Sequence, residues 1–195
     1  ANADCNDENA NEKPGQAWYA DCDSDGYYKD TPVSSCDAPA SDCVDGQTPD
    51  GGWSNADPGA NADCNDENDS EKPGQTWYSD CDGDTYYTGA AITQCQRPPS
   101  SCTDGLAPDG GWSNANPGPS ADCDDENPRE KPGQVWYADC DGYTYYRDTF
   151  LTSCEMPPTD CTDGNTPDGG WANFDPGGVA DCNDEIGRAS CRERA

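Results

Sequence analysis

Trp18-Tyr19-Ala20-Asp21-Cys22-Asp23-Ser24-Asp25-Gly26-Tyr27-Tyr28 sets three carboxylates on alternate positions and follows them with a glycine. In a calcium loop, side chains at positions 1, 3 and 5 face one ion, a glycine at 6 permits a sharp turn, and the carbonyl at 7 is a further ligand. Asp21, Asp23 and Asp25 occupy the first three places, and Tyr27 supplies the carbonyl. The place of the bidentate acid at position 12 is taken by Pro32. The stretch therefore reads as half a cage that something elsewhere must complete. Without a counter-ion, like charges about 4 Å apart cost about 1 kcal/mol even in water, and a hard divalent cation reverses the sign. For a single copy, a solvated acidic turn is an equally good reading.

The stretch is not single. It returns as Trp77-Tyr78-Ser79-Asp80-Cys81-Asp82-Gly83-Asp84-Thr85-Tyr86-Tyr87, and again as Trp136-Tyr137-Ala138-Asp139-Cys140-Asp141-Gly142-Tyr143-Thr144-Tyr145-Tyr146. The interval is 59 residues each time, and a fixed period is the signature of a repeat architecture. The copies differ. The second lacks the glycine at position 6, and the third also lacks the acid at position 5, where Tyr143 stands.

A second acidic cluster, Asp63-Cys64-Asn65-Asp66-Glu67-Asn68, shares the period. Its counterparts include Asp4 and Asp7; Asp122, Asp124 and Asp125; and Asp181 and Asp184. Asp63, Asn65 and Asp66 offer oxygen donors suited to calcium, so this cluster is expected to supply what the first loop lacks. Tyr86 takes the carbonyl position of the second loop. The repeats divide the chain into the end of a preceding unit (1–16), units 17–75 and 76–134, and a truncated unit 135–185. Because the chain starts inside a repeat, it reads as a piece of a longer secreted array.

Composition explains why ions and cross-links would be needed. Forty acids face 10 bases, with no His, for a formal charge of −30. Leu, Ile, Val and Phe together number 10, a balance that ordinarily signals disorder. Against it stand 14 Cys and 16 Trp plus Tyr. Small secreted domains substitute disulfides for core in this way, in oxidising compartments. The charge disfavours nucleic acid and anionic membranes as partners, and no apolar run approaches the ~20 residues of a membrane span. Turn signals at Asp45-Gly46, Pro49-Asp50-Gly51-Gly52 and Asp57-Pro58-Gly59 follow one another. The expected fold is a set of small disulfide-rich, metal-stabilised tandem repeats. They would be mostly loops and turns with short β-hairpins and no sizeable hydrophobic core. The aromatic pairs Trp18-Tyr19 and Tyr27-Tyr28 are expected to form such a hairpin about the acidic loop. Trp53, Trp112 and Trp171 are expected to plug their units, with an exposed carbohydrate platform as the alternative.

The ordered set Trp-Tyr-x-Asp-x-Asp-x-Asp-Gly-Tyr, Cys-x-x-Pro, Gly-Trp-Ser-Asn and Asp-Cys-Asn-Asp-x-Asn resembles the secreted bacterial metal-binding repeats grouped with the MopE copper protein. More distantly it is similar to thrombospondin type 3 calcium repeats. The resemblance implies an extracellular or surface protein and, by position, metal residues Asp21, Asp23, Asp25, Asp63 and Asp66. In the next unit it implies Asp80, Asp82, Asp84, Asp122 and Asp125, and in the third Asp139, Asp141, Asp181 and Asp184. Copper does not fit a chain with no His and one Met, Met156. Four Cys per unit permit three connectivities. The resembling repeats carry counterparts of Cys36 and Cys64 only. This implies the pairs Cys36–Cys64 and Cys22–Cys43, with Cys95–Cys123, Cys81–Cys102, Cys154–Cys182 and Cys140–Cys161 as equivalents. The rival set is Cys5–Cys22 with Cys36–Cys43. The segment after Glu185 breaks the repeat and resembles a translated sequencing adapter, so it is excluded from the expected fold.

The leading expectation is a calcium-stiffened extracellular stalk or filament, assembled through neighbouring repeats of the same array. An adhesin using exposed Trp and Tyr against carbohydrate is the alternative. An enzyme is not expected, because no nucleophile–base arrangement or phosphate loop recurs.

Overall fold

A computed structural model describes residues 5–177, 180 and 181. Among the described residues the chain is nearly helix-free and consists mostly of loops, with short antiparallel strands and six disulfides. Asp4, Asp184 and Cys182, and the segment after Glu185, lie outside the described residues. Two compact units divide the described chain. The first runs to Trp77 and takes in Ala91–Pro98; the second comprises Tyr78–Ala90 and continues from Pro99.

In the first unit, β1 (Gln16–Asp21) is the central strand of three. Its first half pairs antiparallel with β2 (Val33–Ser35), Trp18 facing Val33. Its second half pairs with β3 (Gly52–Ser54), Ala20 facing Trp53. This corrects the expected hairpin: Tyr27-Tyr28 is loop, and the partners of β1 come from farther along the chain. A strand hydrogen-bonded on both edges is enclosed, and Trp18, Tyr19, Ala20 and Asp21 are all buried. The Trp18 indole donates to the Ser35 carbonyl at 3.3 Å, which satisfies its one polar group. Trp53, half-buried, meets Trp18 edge-on with ring centroids 6.5 Å apart. The first unit also holds the pairing of Thr76–Trp77, the start of β4 (Thr76–Asp80), with β5 (Ile92–Thr93).

The second unit shows the same arrangement. There the rest of β4 pairs with β6 (Gly111–Ser113). Strand β7 (Val135–Asp139) lies between β8 (Leu151–Thr152) and β9 (Gly170–Ala172). Trp77 and Trp136 repeat the indole bond, to the carbonyls of Gln94 and Ser153 at 3.0 Å. Among the described residues, the largest fully buried side chains are Asp21, Asp80, Asp139 and Ser79, rather than aliphatic ones.

The disulfides correct half of the expected connectivity. Cys22–Cys43, Cys81–Cys102 and Cys140–Cys161 form as expected. Cys36 instead bonds backward to Cys5, Cys64 bonds forward to Cys95, and Cys123 to Cys154, each 31 residues apart. Cys36–Cys64 and Cys95–Cys123 therefore do not form, nor does the rival set. Among the described residues, the cysteine of each second acidic cluster is joined to the cysteine that opens the next Cys-x-x-Pro.

Candidate metal centre

Each acidic loop begins at the last residue of a central strand, so Asp21, Asp80 and Asp139 are delivered buried at a fixed point. The loop then needs two left-handed residues, at positions 4 and 6. In the first loop these are Ser24 (φ 66°) and Gly26 (φ 87°); in the second, Gly83 (φ 76°) and Thr85 (φ 79°); in the third, Gly142 (φ 74°) and Thr144 (φ 69°). The second and third loops keep this conformation although Thr replaces the glycine at position 6, because a glycine has moved to position 4. A β-branched residue there is strained, and the enclosing bonds hold it.

Those bonds orient the carboxylates. In the first loop Asp21 Oδ2 accepts the amide of Gly26 at 3.1 Å, Asp23 Oδ1 that of Asp25 at 3.2 Å, and Asp25 Oδ1 that of Tyr27 at 2.8 Å. The second cluster is brought to the same place. The Asp63 amide donates to the Tyr28 carbonyl at 2.9 Å, and the Cys22 amide donates to Asp66 Oδ1 at 3.1 Å. Asp63 Oδ1 takes the amide of Cys64 at 2.6 Å. Each of the five carboxylates thus spends one oxygen on backbone. The other five oxygens (Asp21 Oδ1 and Oδ2 of Asp23, Asp25, Asp63 and Asp66) are buried with no hydrogen-bond donor. Two ammonium groups stand near them: Lys72 Nζ lies 3.7 Å from Asp25 Oδ2, and Lys29 Nζ lies 3.7 Å from Asp66 Oδ2.

The second loop has the same plan with fewer open oxygens. Oδ2 of Asp82, Asp84 and Asp122 are buried without a donor, and Lys131 Nζ is 3.5 Å from Asp84. Asp80 takes the amides of Gly83 at 2.8 Å and Thr85 at 3.0 Å. Asp125 takes Ser79 Oγ at 2.7 Å and the Cys81 amide at 3.0 Å. Ligand atoms of Asp21, Asp23 and Asp25, and likewise of Asp80, Asp82 and Asp84, lie within 4.8 Å of one another. In the third loop Asp139 takes the amides of Gly142 and Thr144, and the Asp181 amide donates to the Tyr146 carbonyl at 2.8 Å. Asp141 accepts the amide of Tyr143, whose side chain is exposed.

Burial raises the pKa values of several of these carboxyls. Burial, with Asp25 adding to it, pushes Asp23 up to about 6, and burial pushes Asp66 up to about 7. Burial likewise carries Asp82 and Asp122 up to about 6, and raises Asp63, Asp125 and Asp139. Oxygens that are buried, anionic and convergent are what a hard cation requires, and these clusters can hold one.

Other expected residues sit elsewhere. The Asn65 side-chain amide donates to Glu71 at 3.1 Å, within its own turn. Asp7 is exposed, and Asp124 is exposed and caps the amide of Glu126. Tyr27 and Tyr86 contribute amides to the loop acids before them. Sulfur offers nothing: Cys22 and Cys43 lie near Glu67, but both are consumed in their disulfide. Three contributors escaped the sequence reading. A Cβ at Gly51, Gly110 or Gly169 would overlap the carboxylate of Asp21, Asp80 or Asp139. The repeated Asp-Gly-Gly was the available signal, read only as a turn.

No family model matches the chain, and no curated protein or solved structure matches it. The likeness to the MopE-grouped repeats therefore rests on the quoted motifs alone.

Proposed function

We propose that the chain is a calcium-binding, disulfide-linked structural element of an extracellular array, forming a stalk or filament through neighbouring repeats. One observation carries the reading: in the first unit two acidic segments leave five carboxylate oxygens buried without a hydrogen-bond donor, and oxygens of Asp21, Asp23 and Asp25 lie within 4.8 Å of one another. Asp21, Asp23, Asp25, Asp63 and Asp66 would hold the ion there, and Asp80, Asp82, Asp84, Asp122 and Asp125 the next one. Calcium supplies charge neutralisation and no chemistry. Calcium suits the set better than zinc or copper, since every donor is a carboxylate or carbonyl oxygen. Six disulfides fit an oxidising, extracellular setting. Among the described residues, no helix is long and apolar enough to cross a membrane.

At about 1 mM calcium, a site with a dissociation constant of about 10⁻⁴ M contributes about 1.4 kcal/mol. A disulfide contributes about 2–4 kcal/mol, so ion and cross-link share the duty. Circular dichroism and limited proteolysis with and without chelator, under non-reducing conditions, test the proposal. Chelation is expected to loosen the fold and expose the loops to protease. Identical spectra and digestion patterns would sink it.

A further inference from the structure

The disulfides and the acidic clusters together define a mechanical unit that neither defines alone. Cys5–Cys36 and Cys22–Cys43 overlap, so residues 5–43 are covalently closed on themselves. Cys64–Cys95 and Cys81–Cys102 close 64–102 in the same way, and Cys123–Cys154 with Cys140–Cys161 close 123–161. Between Cys43 and Cys64, and between Cys102 and Cys123, no cross-link limits extension.

The candidate ligands straddle those open stretches. Asp21, Asp23 and Asp25 lie in the first closed stretch, while Asp63 ends the spacer and Asp66 belongs to the next closed stretch. The spacer's two ends already meet. The Val44 amide donates to Glu67 Oε1 at 2.7 Å, and Cys22 donates to Asp66 at 3.1 Å. Around the second loop, Thr103 donates to Glu126 at 2.7 Å and Cys81 to Asp125 at 3.0 Å. Each spacer is held besides by one three-residue strand, β3 or β6, with the tryptophan within it, and by single bonds. In the first these run from the amides of Gly51 and Asp63 to the carbonyls of Asp21 and Tyr28, and from the Asn55 side chain to the Ala17 carbonyl. In the second they run from the amides of Gly110 and Asp122 to the carbonyls of Asp80 and Tyr87.

We infer that each cation is a reversible clip across an extensible spacer, so that calcium sets how far the chain lengthens under load while the disulfides cap that length. The inference rests on the calcium reading above and goes beyond it. Releasing a clip frees about 20 residues, an extension of about 70 Å, or about 100 Å if Cys36 to Cys43 straightens too. An uncrosslinked 59-residue period would instead extend by about 200 Å.

The test is single-molecule force extension of the full oxidised chain between marker domains, in calcium and in chelator, with calcium binding measured separately by equilibrium dialysis. The expected result is steps of about 70–100 Å in calcium, whose rupture force falls on chelation, one of them losing its calcium sensitivity in Asp66→Asn. Steps of about 200 Å without reductant would overturn the covalent cap. Bound calcium with unchanged rupture forces would overturn the clip and leave the metal sites standing. Failure to bind calcium in dialysis would remove the clip together with the reading beneath it.

Discussion

At Asp82 one carboxylate oxygen takes the Asp84 amide at 3.0 Å, and the other, buried, has no donor. Such a residue stabilises the fold when a cation is present and opposes it when none is. Asp82→Asn is therefore expected to change sign with the metal. In chelator the loss of one like charge, worth about 1 kcal/mol, raises the melting temperature by about 2–4 °C. In calcium the variant melts below the parent. A decrease of the same size under both conditions would mean that Asp82 acts through packing alone. Gly51 makes a complementary case. Its missing Cβ is the space in which the Asp21 carboxylate lies, so Gly51→Ala must displace that carboxylate. The expected cost is at least a tenfold loss of calcium affinity, about 1.4 kcal/mol, read by titration calorimetry. The acids were legible in the sequence because alternate carboxylates announce their own chemistry. Gly51 was not, because a residue that matters by leaving room looks like any other turn glycine.

The acidic loops as elements are governed by protonation as well as by ions. Asp23, Asp66, Asp82 and Asp122 hold their protons up to about 6 or 7 in the ion-free fold, chiefly through burial. A carboxyl raised in the folded state contributes stability below its ordinary range near 4, and that stability is lost as pH rises through the raised value. The ion-free chain is thus expected to melt higher at pH 5 than at pH 8. With calcium bound the order reverses, because protons compete for the same oxygens. Melting curves in chelator and in calcium across this window check it, and Asp66→Asn should flatten the chelator series. A parallel trend in both series would contradict the assignment. The loop conformation itself was only partly readable. Thr85 and Thr144 looked like the loss of a required glycine, yet Gly83 and Gly142 two residues earlier let the same backbone form. The β1 hairpin was misread for a related reason: Val33 and Trp53 pair with the strand across loops, which local aromatic spacing cannot reveal.

For the whole molecule, the periodic sequence concealed the direction of half its cross-links. In a repeating chain Cys36 stands at similar distances from Cys5 behind it and Cys64 ahead of it, and both choices give the same pattern along the chain. Only the fold decides. Asp63 and Asp66 turn toward the loop at Asp21, while Cys64 between them is spent on Cys95. The Cys22–Cys43 set was reached only through the resemblance, by pairing the two cysteines that the resembling repeats lack, and the same step paired Cys36 and Cys64 wrongly. The outcome, among the described residues, is that three of the four largest fully buried side chains are aspartates, an arrangement that something positive reaching them would stabilise. A crystal structure of the oxidised chain grown in calcium, with anomalous data, addresses that directly. An ion bound at about 2.3–2.6 Å by the open oxygens of Asp21, Asp23, Asp25, Asp63 and Asp66 is the predicted result. Those carboxylates turned outward to water, or closed on Lys72 and Lys29 with no ion among them, would contradict it.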